Sequence, residues 1–572
     1  MIYQGIAISP GVAVAPVCRY IPAQRTVTQQ RAEDAAQELQ AYEAALAAAA
    51  AALETAYETM KAASSENAAI FEAHLEILRD IAMDEEIRDA IACGDTAAWA
   101  VECVYSQYAD LIASLGDERM RERAADLQDV KKRLLDTLLG GSGASLADLK
   151  EPSIVVAQEL MPSDTAALDP NMVRAIVTEA GGATSHCAIL ARSLGIPAVS
   201  GIAALLDACR SGELAAVDAA AGTVEFSPDE ASLTQYAEKE RAFLAQKSLT
   251  AQYLTRTPFL SGGARVLTCL NIGSSTNAAL QYAEHSDGVG LFRTEFLYMQ
   301  SEALPDEQAQ YETYAAVADR FGDRQVILRT LDIGGDKTLA ALPLPQEQNP
   351  FLGERALRLC FARPELFKTQ LRAILRAAVH GNLAVMFPMV ASLDDLRRAK
   401  ALLAEAAEDL RQAGIPHRED LPVGIMIEIP SIALMADAAA QEVDFASVGT
   451  NDLCQYLLAA DRMNPAVAPY YQSFHPAVFR LLDGAARAFT AAGKTLSVCG
   501  EMGGDPAAVL GLLSLGIRKF SMNASSLAAV KRAVLLTDEA SLPDLRERLL
   551  ACTDAQSAEA LLRAQLENLK EE

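Results

Sequence analysis

One histidine lies in a setting that could do chemistry. His186 follows two glycines and two hydroxyl residues in GGATSHCAILARSLGIPAV, residues 181–199, and the chain has only six histidines. Thr184 or Ser185 can cap a helix that runs to about Leu194, where glycine and proline supply stop signals. His186 then lies at the positive end of the helix dipole, where backbone N–H groups can meet an anion on the imidazole ring. The pattern predicts a phosphohistidine.

Three other roles for His186 are a general base, a metal ligand and a histidine satisfied within the core. A metal site should offer a second ligand at suitable spacing, and the adjacent Cys187 is badly placed for chelation. A core histidine is the usual fate of a lone histidine, but it does not need two glycines before it. We therefore favour a histidine that carries a phosphoryl group.

A second set of candidate residues follows short apolar segments in the C-terminal half. Guanidinium groups suit phosphate and carboxylate oxygens, and Mg²⁺ binds through one or two carboxylates plus a substrate phosphate. An ion-pair network is the alternative interpretation of the same charges. Because the arginines imply an anionic ligand, we favour a magnesium site at Glu428 and Asp452. The set comprises Asn271, Arg293, Arg329, Asp332, Arg355, Glu428, Asn451, Asp452, Arg462 and Cys499.

Cys499, in SVCGEMGGD, belongs to this set although it carries no charge. A small buried hydrophobe is the commoner role of a cysteine. Its place at a strand end among charged residues makes a proton donor the alternative.

The elements that must position these residues begin at about residue 264. Continuous apolar strands are typical of a parallel sheet that is buried on both faces. Eight such runs with helices between them predict a (β/α)₈ barrel, which gathers the C-terminal ends of its strands on one rim. The runs are VLTCLNI, GVGLFR, VILRTLD, LAVMFPM, VGIMIEI, FASVGT, TLSVCG and IRKFSM.

The N-terminal half has a different pattern. Residues 30–135 contain almost no glycine or proline and are rich in Ala, Glu, Leu and Arg, which predicts a helical subdomain. His74 lies there and is expected to contact a partner or to be an ordinary surface histidine. GGSGASL, residues 140–146, is a linker by composition. A small α/β unit then ends near residue 226, and a connecting helix follows.

Bulk properties limit the function classes. A chain of 572 residues is too long for one core. Its formal charge of −27 disfavours nonspecific binding to nucleic acid or anionic membranes and is compatible with a basic protein partner. The N-terminus lacks the basic region of a signal peptide, and no apolar run is long enough for membrane insertion. Ten cysteines without a CxxC pair fit a cytoplasmic location.

Several long motifs, in order, resemble the Enzyme I family, the phosphoenolpyruvate–protein phosphotransferases of the bacterial sugar phosphotransferase system. They include GIAISPGVAVAP, AAIFEAHLEILRD, GGATSHCAILARSLGIPAV, GVGLFRTEFLYM, LRTLDIGGDKT, NPFLGERALRL, GIMIEIPS, SVGTNDLCQYLLAADR and SVCGEMGGD. The resemblance implies phosphoryl transfer from phosphoenolpyruvate to the histidine and then to the phosphocarrier protein HPr, with release of pyruvate.

The resemblance also implies a multidomain α/β organisation. Residues 1–20 and 145–226 would form a swivelling phosphohistidine domain, with an inserted α-helical HPr-binding subdomain at 21–144. A linker helix would cover 227–260. Residues 261–572 would form the (β/α)₈ TIM barrel, which binds phosphoenolpyruvate and Mg²⁺ and forms a homodimer.

By the same resemblance His186 accepts the phosphoryl group, and Cys499 protonates the methylene carbon of the departing enolpyruvate. Glu428 and Asp452 ligate Mg²⁺. The implied substrate-binding residues are Arg293, Arg329, Arg355, Asn451, Asp452 and Arg462.

Three positions depart from the family pattern. Ala183 stands where arginine is common, Cys187 where threonine is common and Glu354 where an aromatic residue is common. None removes a named role, so we expect them to tune the reaction.

Three other functions fit part of the pattern. A dikinase of the same superfamily shares the GGxTSH motif and the barrel, but it needs an ATP-binding domain ahead of the histidine domain, and the helical segment here contains no phosphate-binding loop. A catalytically silent binding protein would keep the fold and release no pyruvate. A third alternative, the nitrogen-regulatory paralogue of the family, would carry a further N-terminal sensory domain.

Overall fold

The chain forms two compact units, Met1–Lys247 and Ser248–Glu572. The computed structural model describes residues 2–21, 27–63, 65–114, 118–140, 146, 149–161, 164, 168–169, 171–181, 187–188, 191, 194–299, 303–335, 339, 341–342, 344–345 and 347–569. Within these ranges it leaves out the side chains at 56, 59–63, 65–70, 118–122, 246–247, 249, 278 and 465. None of the described helices is both long and apolar enough to cross a bilayer.

Helices dominate the first part of the N-terminal unit, as the composition predicts. In the first of them Tyr42, Ala45, Ala49 and Leu53 recur every three or four residues and are buried, which gives the helix one core-facing stripe. The helices of this unit are α1 (Ala35–Ala63), α2 (Ser65–Leu78), α3 (Ile81–Ala92), α4 (Ala97–Ser114), α5 (Glu118–Leu138), α6 (Leu205–Ala208) and α7 (Glu230–Ala251), which extends into the second unit.

An eight-stranded mixed sheet forms the rest of the unit, in the order β1-β8-β7-β3-β4-β5-β6-β2. Strands β3 to β6 pair in parallel, and the outer pairs are antiparallel. The α1–α5 helices share one apolar core with a face of this sheet. The strands are β1 (Ile2–Gln4), β2 (Ile6–Ser9), β3 (Val12–Tyr20), β4 (Ser153–Ala157), β5 (Val173–Thr178), β6 (Ala198–Ser200), β7 (Leu214–Asp218) and β8 (Thr223–Phe226).

His74 on α2 is buried, with 1% of its surface exposed. Its Nε2 lies 3.2 Å from Asp126 Oδ1 and its Nδ1 lies 3.6 Å from Asp129 Oδ2, both on α5. The expectation of a surface histidine that could contact a partner is therefore wrong. The ring packs against α5, where its Nε2 lies within hydrogen-bond distance of Asp126.

Asp164 joins the helices to the sheet. Its Oδ1 accepts a hydrogen bond from the Tyr20 hydroxyl at the end of β3 and lies 2.9 Å from Lys132 Nζ on α5. Its Oδ2 accepts from the Met161 N–H at 3.1 Å. Since the Asp164 side chain is only 4% exposed, each of these partners depends on it for a buried hydrogen bond.

We expect Asp164→Ala to lower the free energy of unfolding by about 2–4 kcal/mol, because it leaves a buried hydroxyl and an ammonium group without their acceptor. The urea midpoint measures this change. Asp110→Ala, at an exposed position on α4, is the control and should unfold like the wild type. Equal midpoints for the two variants would show that Asp164 does not hold the helices to the sheet.

The C-terminal unit is a closed barrel of eight parallel strands, which confirms the barrel that the sequence predicts. Each of the eight apolar runs forms one strand. The strands are β9 (Leu267–Ile272), β10 (Val289–Arg293), β11 (Val326–Arg329), β12 (Leu383–Phe387), β13 (Val423–Ile427), β14 (Phe445–Val448), β15 (Thr495–Val498) and β16 (Lys519–Met522).

Helices surround this barrel. The α-helices are α8 (Glu295–Met299), α9 (Glu307–Phe321), α10 (Leu357–Ala362), α11 (Pro364–Ala377), α12 (Leu393–Gln412), α13 (Pro430–Leu434), α14 (Ala436–Glu442), α15 (Thr450–Leu458), α16 (Pro476–Ala491), α17 (Pro506–Ser514), α18 (Leu527–Leu535), α19 (Leu542–Ala551) and α20 (Ala555–Glu567). Short 3₁₀ helices occupy Ala278–His285, Pro350–Leu352, Pro465–Tyr470, Glu501–Gly504, Ala524–Ser526 and Glu539–Ser541.

Strand side chains alternate between the barrel interior and the surrounding helices. On β14, Ala446 and Val448 belong to the large core between strands and helices. Phe445 belongs instead to a small inner cluster that also contains Met386, Met426 and Cys499. The barrel interior is therefore filled by side chains, and its chemistry is confined to the rim.

Candidate active site

The second set of candidate residues converges on the C-terminal rim of the barrel, as predicted. Arg293 and Arg329 are the last residues of β10 and β11. Glu428 directly follows β13, and Cys499 directly follows β15. Asn271 lies near the end of β9, and Asn451 and Asp452 lie in the first turn of α15.

Arg329 is buried between two carboxylates. Its guanidinium contacts Glu295 at the start of α8, and its Nη1 lies 3.0 Å from Asp332 Oδ2. Burial alone would lower the pKa of Arg329, but the neighbouring carboxylates raise it above its ordinary value, so the group stays charged. Within the described ranges the buried Nε has no hydrogen-bond partner, so it remains able to donate to a ligand.

Arg355 is 1% exposed and lies behind the rim. Its Nη2 lies 3.0 Å from Asp332 Oδ1. Its Nη1 lies 3.3 Å from Asp452 Oδ1 and donates to the Tyr456 hydroxyl at 3.1 Å. The protein itself engages all three nitrogens, including Nε. This geometry fixes the orientation of Asp452, and substrate binding by Arg355 stays a prediction.

Two arginines are more open. Within the part of the chain that the structure describes, Arg293 has no hydrogen-bond or ion-pair partner. Arg462 Nη1 lies 3.7 Å from Asp452 Oδ1, and its guanidinium lies 5.9 Å from the Phe351 ring centre. Both groups can therefore turn towards an anion without breaking a strong contact.

Glu428 is a buried carboxyl group with one unused oxygen. Its Oε1 accepts from the Met389 N–H at 2.6 Å, and no described residue hydrogen-bonds to its Oε2. Burial first, and then the charges of Asp452 and Asp332, raise the pKa of Glu428 to about 8, although the nearby arginines oppose the shift. Met389 adopts a left-handed φ of 53°, a costly conformation for methionine that accompanies this contact.

We expect this carboxyl group to make stability depend on pH when Mg²⁺ is removed with EDTA. The folded pKa is raised, so the protonated form stabilises the fold fully below the unfolded pKa near 4.5, and this contribution is lost as pH rises towards 8. The stability of wild type relative to Glu428→Gln should therefore fall by at most about 1.4 kcal/mol per pH unit. Melting curves from pH 5 to 8 measure it. The exposed Glu405→Gln variant should follow wild type, and a constant gap for Glu428→Gln would contradict the assignment.

Unpartnered buried polar atoms mark the site most clearly. Buried polar groups are normally hydrogen-bonded, and each one that is not calls for a ligand or water. Those at the rim and just below it are Arg329 Nε, Thr330 Oγ1, Glu428 Oε2, Ser447 Oγ, Thr450 Oγ1 and Gln455 Nε2. The sequence interpretation missed Thr330, Ser447, Thr450 and Gln455, and also Glu295. Their only sequence signal is that they adjoin the strand-end motifs.

Asn451 and Cys499 complete the rim. The Asn451 Oδ1 accepts from the Glu501 N–H at 3.0 Å, which fixes the orientation of its side-chain amide. Cys499 is 1% exposed, and burial raises the pKa of its thiol to about 11. The sulfur therefore carries a proton at neutral pH. The Asn271 side-chain amide, on β9, donates to the Cys499 carbonyl oxygen at 3.1 Å and so helps to fix the backbone at Cys499.

The donor set fits a magnesium ion that keeps most of its water. Among the described residues, no three His, Cys, Asp or Glu side chains are grouped to hold a metal alone. Glu428 Oε2 is nevertheless an unpartnered buried carboxylate oxygen, and Asp452 is the neighbouring carboxylate that most strongly opposes its ionisation. Two carboxylates with water and substrate oxygens suit Mg²⁺.

His186 lies outside the described residues, as do Ala183, Thr184, Ser185 and most of the linker at 140–146. Cys187, Ala188, Ala191 and Leu194 are helical. This agrees with the helix that the sequence predicts after His186. Burial raises the pKa of Cys187 to about 12, so its thiol is protonated at neutral pH.

Similar proteins match this chain over nearly its full length. Three protein-family models of enzymes that use phosphoenolpyruvate (PEP) match this chain. They describe the N-terminal domain of PEP-utilising enzymes at 4–123, their mobile domain at 149–222 and their PEP-binding domain at 247–538. A phosphoenolpyruvate-protein phosphotransferase of Priestia megaterium is 41% identical over 97% of both chains. That of Bacillus subtilis is 40% identical over 98% of this chain and 99% of its own. A solution structure of Enzyme I (nEIt) is 37% identical, covers 42% of this chain and 99% of its own, and has a TM-score of 0.37. The strand-end residues thus lie in a chain that belongs to the phosphoenolpyruvate–protein phosphotransferase family.

Proposed function

We propose that this protein transfers the phosphoryl group of phosphoenolpyruvate to its own His186 and then to HPr, and releases pyruvate. The observation that carries the proposal is the cluster of unpartnered buried polar atoms among arginines and carboxylates at the barrel rim. Such a cluster fits a compact, strongly anionic ligand that accepts from the free donors, together with a cation that binds the free Glu428 oxygen.

The arginines would hold the substrate in place. Arg293 and Arg462 have donors free to turn towards phosphate or carboxylate oxygens, and Arg329 offers Nε. The Asn451 amide would add a neutral donor. Arg355 would act indirectly, because its contact with Asp452 fixes the orientation of that carboxylate. Positioning and charge neutralisation account for most of the catalysis in phosphoryl transfer.

Glu428 and Asp452 would hold Mg²⁺. When bound, the ion supplies positive charge that neutralises phosphate oxygens. Arg355 and Met389 orient the two carboxylates, because one donates to Asp452 and the other to Glu428. The protein thus contributes a fixed pair of oxygens before the ion arrives.

His186 would form the N–P bond while the bond between phosphorus and the enol oxygen breaks. The enolpyruvate that leaves needs one proton at its methylene carbon to become pyruvate. Cys499 suits this donor role because its buried thiol holds a proton at neutral pH.

HPr, homodimerisation and a cytoplasmic location belong to the same proposal. Four glutamates line a groove between α1 and α2, namely Glu54, Glu58, Glu72 and Glu76, which supports a partner with a basic face. The exposed apolar side chains of Leu352, Leu434 and Tyr470 around the barrel support contact with a second copy. We also propose the domain limits 1–20 with 145–226, 21–144, 227–260 and 261–572.

The test is incubation of the full chain with Mg²⁺ and phosphoenolpyruvate labelled in its phosphate. We expect label that is stable to alkali and labile to acid, one pyruvate for each phosphoryl group transferred, and loss of the label when HPr is added. A folded chain that takes up no label and releases no pyruvate would overturn the proposal and favour a silent binding protein.

A further inference from the structure

The buried hydroxyl of Ser447 has no role in the rim described above. Ser447 lies on β14 and is fully buried, and its Oγ has no hydrogen-bond partner among the residues that the structure describes. Phe445, two residues earlier on the same strand, belongs to the inner cluster of the barrel. Because side chains alternate along a strand, Ser447 also faces the barrel interior. A buried, unused hydroxyl carries a free-energy cost unless some state of the protein supplies its partner.

Cys499 is the reactive group nearest to this hydroxyl in the strand register. β14 and β15 are parallel neighbours, with Ser447 opposite Ser497. Cys499 lies two residues beyond Ser497, and its sulfur belongs to the same inner cluster as Phe445. The sulfur lies 3.4 Å from the Val448 carbonyl oxygen, which can only accept its proton. The thiol form therefore has a partner, whereas a thiolate at this position needs a donor.

The surroundings of the sulfur disfavour a thiolate on balance. Burial raises the pKa of Cys499, and the Glu428 carboxylate beyond β14 raises it further. The Ser447 hydroxyl, Arg329 at the end of β11 and Arg293 at the end of β10 act in the opposite direction. The two arginines would be engaged by a bound anion. Ser447 is uncharged, so it would keep its donor for the sulfur.

We propose that Ser447 is a positioning residue for the protonation step, whose hydroxyl donates a hydrogen bond to the Cys499 sulfur once its proton has left. This rests on the proposed function. In that step the S–H bond breaks and its proton forms a C–H bond at the methylene carbon. The enolate electrons re-form the carbonyl of pyruvate, and the S–H electron pair stays on sulfur as a thiolate. Solvent returns the proton before the next turnover.

The test measures the ionisation of Cys499 in the full chain, without phosphoenolpyruvate or Mg²⁺. The rate of iodoacetamide alkylation at Cys499 is followed from pH 6 to 11 by mass spectrometry of its peptide, because the chain has ten free cysteines. Ser447→Ala removes the hydroxyl, and Ser447→Thr keeps it. Ser497→Ala is the matched control, since that hydroxyl already donates to the Ala446 carbonyl at 3.1 Å.

We expect Ser447→Ala to slow alkylation of Cys499 about tenfold at each pH between 7 and 9, because the thiolate fraction falls tenfold for each unit by which the pKa rises. Ser447→Thr and Ser497→Ala should stay near wild type. An unchanged rate in Ser447→Ala, or an equal slowing in Ser497→Ala, would overturn the inference. Because no substrate is present, slower alkylation in Ser447→Ala together with a wild-type chain that releases no pyruvate in the separate labelling test would overturn the proposed function alone.

Discussion

His186→Ala is expected to take up no phosphoryl label from phosphoenolpyruvate. The variant lacks the only ring nitrogens that the proposed reaction uses as acceptor. Release of pyruvate should fall by at least about 10⁴-fold, as it does when an enzyme loses its nucleophile. The measurement is label on the protein after gel filtration, together with pyruvate coupled to a dehydrogenase.

A matched control is available in His380→Ala. His380 is exposed to solvent, and its ring nitrogens contact Asp319 Oδ1 and the Tyr311 hydroxyl. It should take up label and release pyruvate like wild type. Label that persists in His186→Ala would mean that another side chain is the acceptor, and loss of label in both variants would point to a general loss of structure.

Arg293→Met should lower kcat/KM for phosphoenolpyruvate by about 10²–10³-fold while leaving the fold intact. Removal of one preorganised donor to a developing or transferring anion has effects of this size. The fold should not change, because among the described residues Arg293 has no protein partner to lose. Initial rates of pyruvate release give kcat/KM, and the melting temperature reports the fold.

Arg329→Met provides the contrast. That substitution removes a comparable donor but also removes the Arg329 ion pairs with the buried carboxylates of Glu295 and Asp332, so it should lower both activity and stability. If Arg293→Met keeps its kcat/KM, the Arg293 guanidinium does not contact the substrate. If it loses stability as Arg329→Met does, its effect on activity would not report on substrate binding.

The barrel could be predicted from the sequence because parallel strands buried on both faces must be apolar throughout. Runs such as VILRTLD and FASVGT carry this signature together with polar residues at their ends, so the rim residues follow from the strand count. In the N-terminal unit, the alanine-rich composition of α1 predicts its helix in the same direct way.

The contacts within the rim could not be predicted in this way. Arg293 and Arg329 end neighbouring strands and have the same sequence signal, yet the structure leaves one open and buries the other between two carboxylates. The difference depends on Glu295, whose side chain reaches Arg329 only after α8 has folded over the rim. His74 shows the same limit, because its burial depends on two aspartates of α5 that lie more than fifty residues away in the sequence.

The balance of charges at the rim has a consequence for turnover. Arg293, Arg329, Arg355 and Arg462 face Glu295, Asp332, Glu428 and Asp452, and Glu428 is largely neutral at pH 7 because its pKa is about 8. The charges of these side chains thus largely cancel and leave only a slight cationic excess. A monoanion such as pyruvate must then compete with carboxylates for Arg329, Arg355 and Arg462, and its single charge displaces them poorly. The trianionic substrate and its divalent cation carry a small net charge together, which matches the nearly balanced charge of the rim. Because the rim is not strongly basic, it can bind this pair and still release the product.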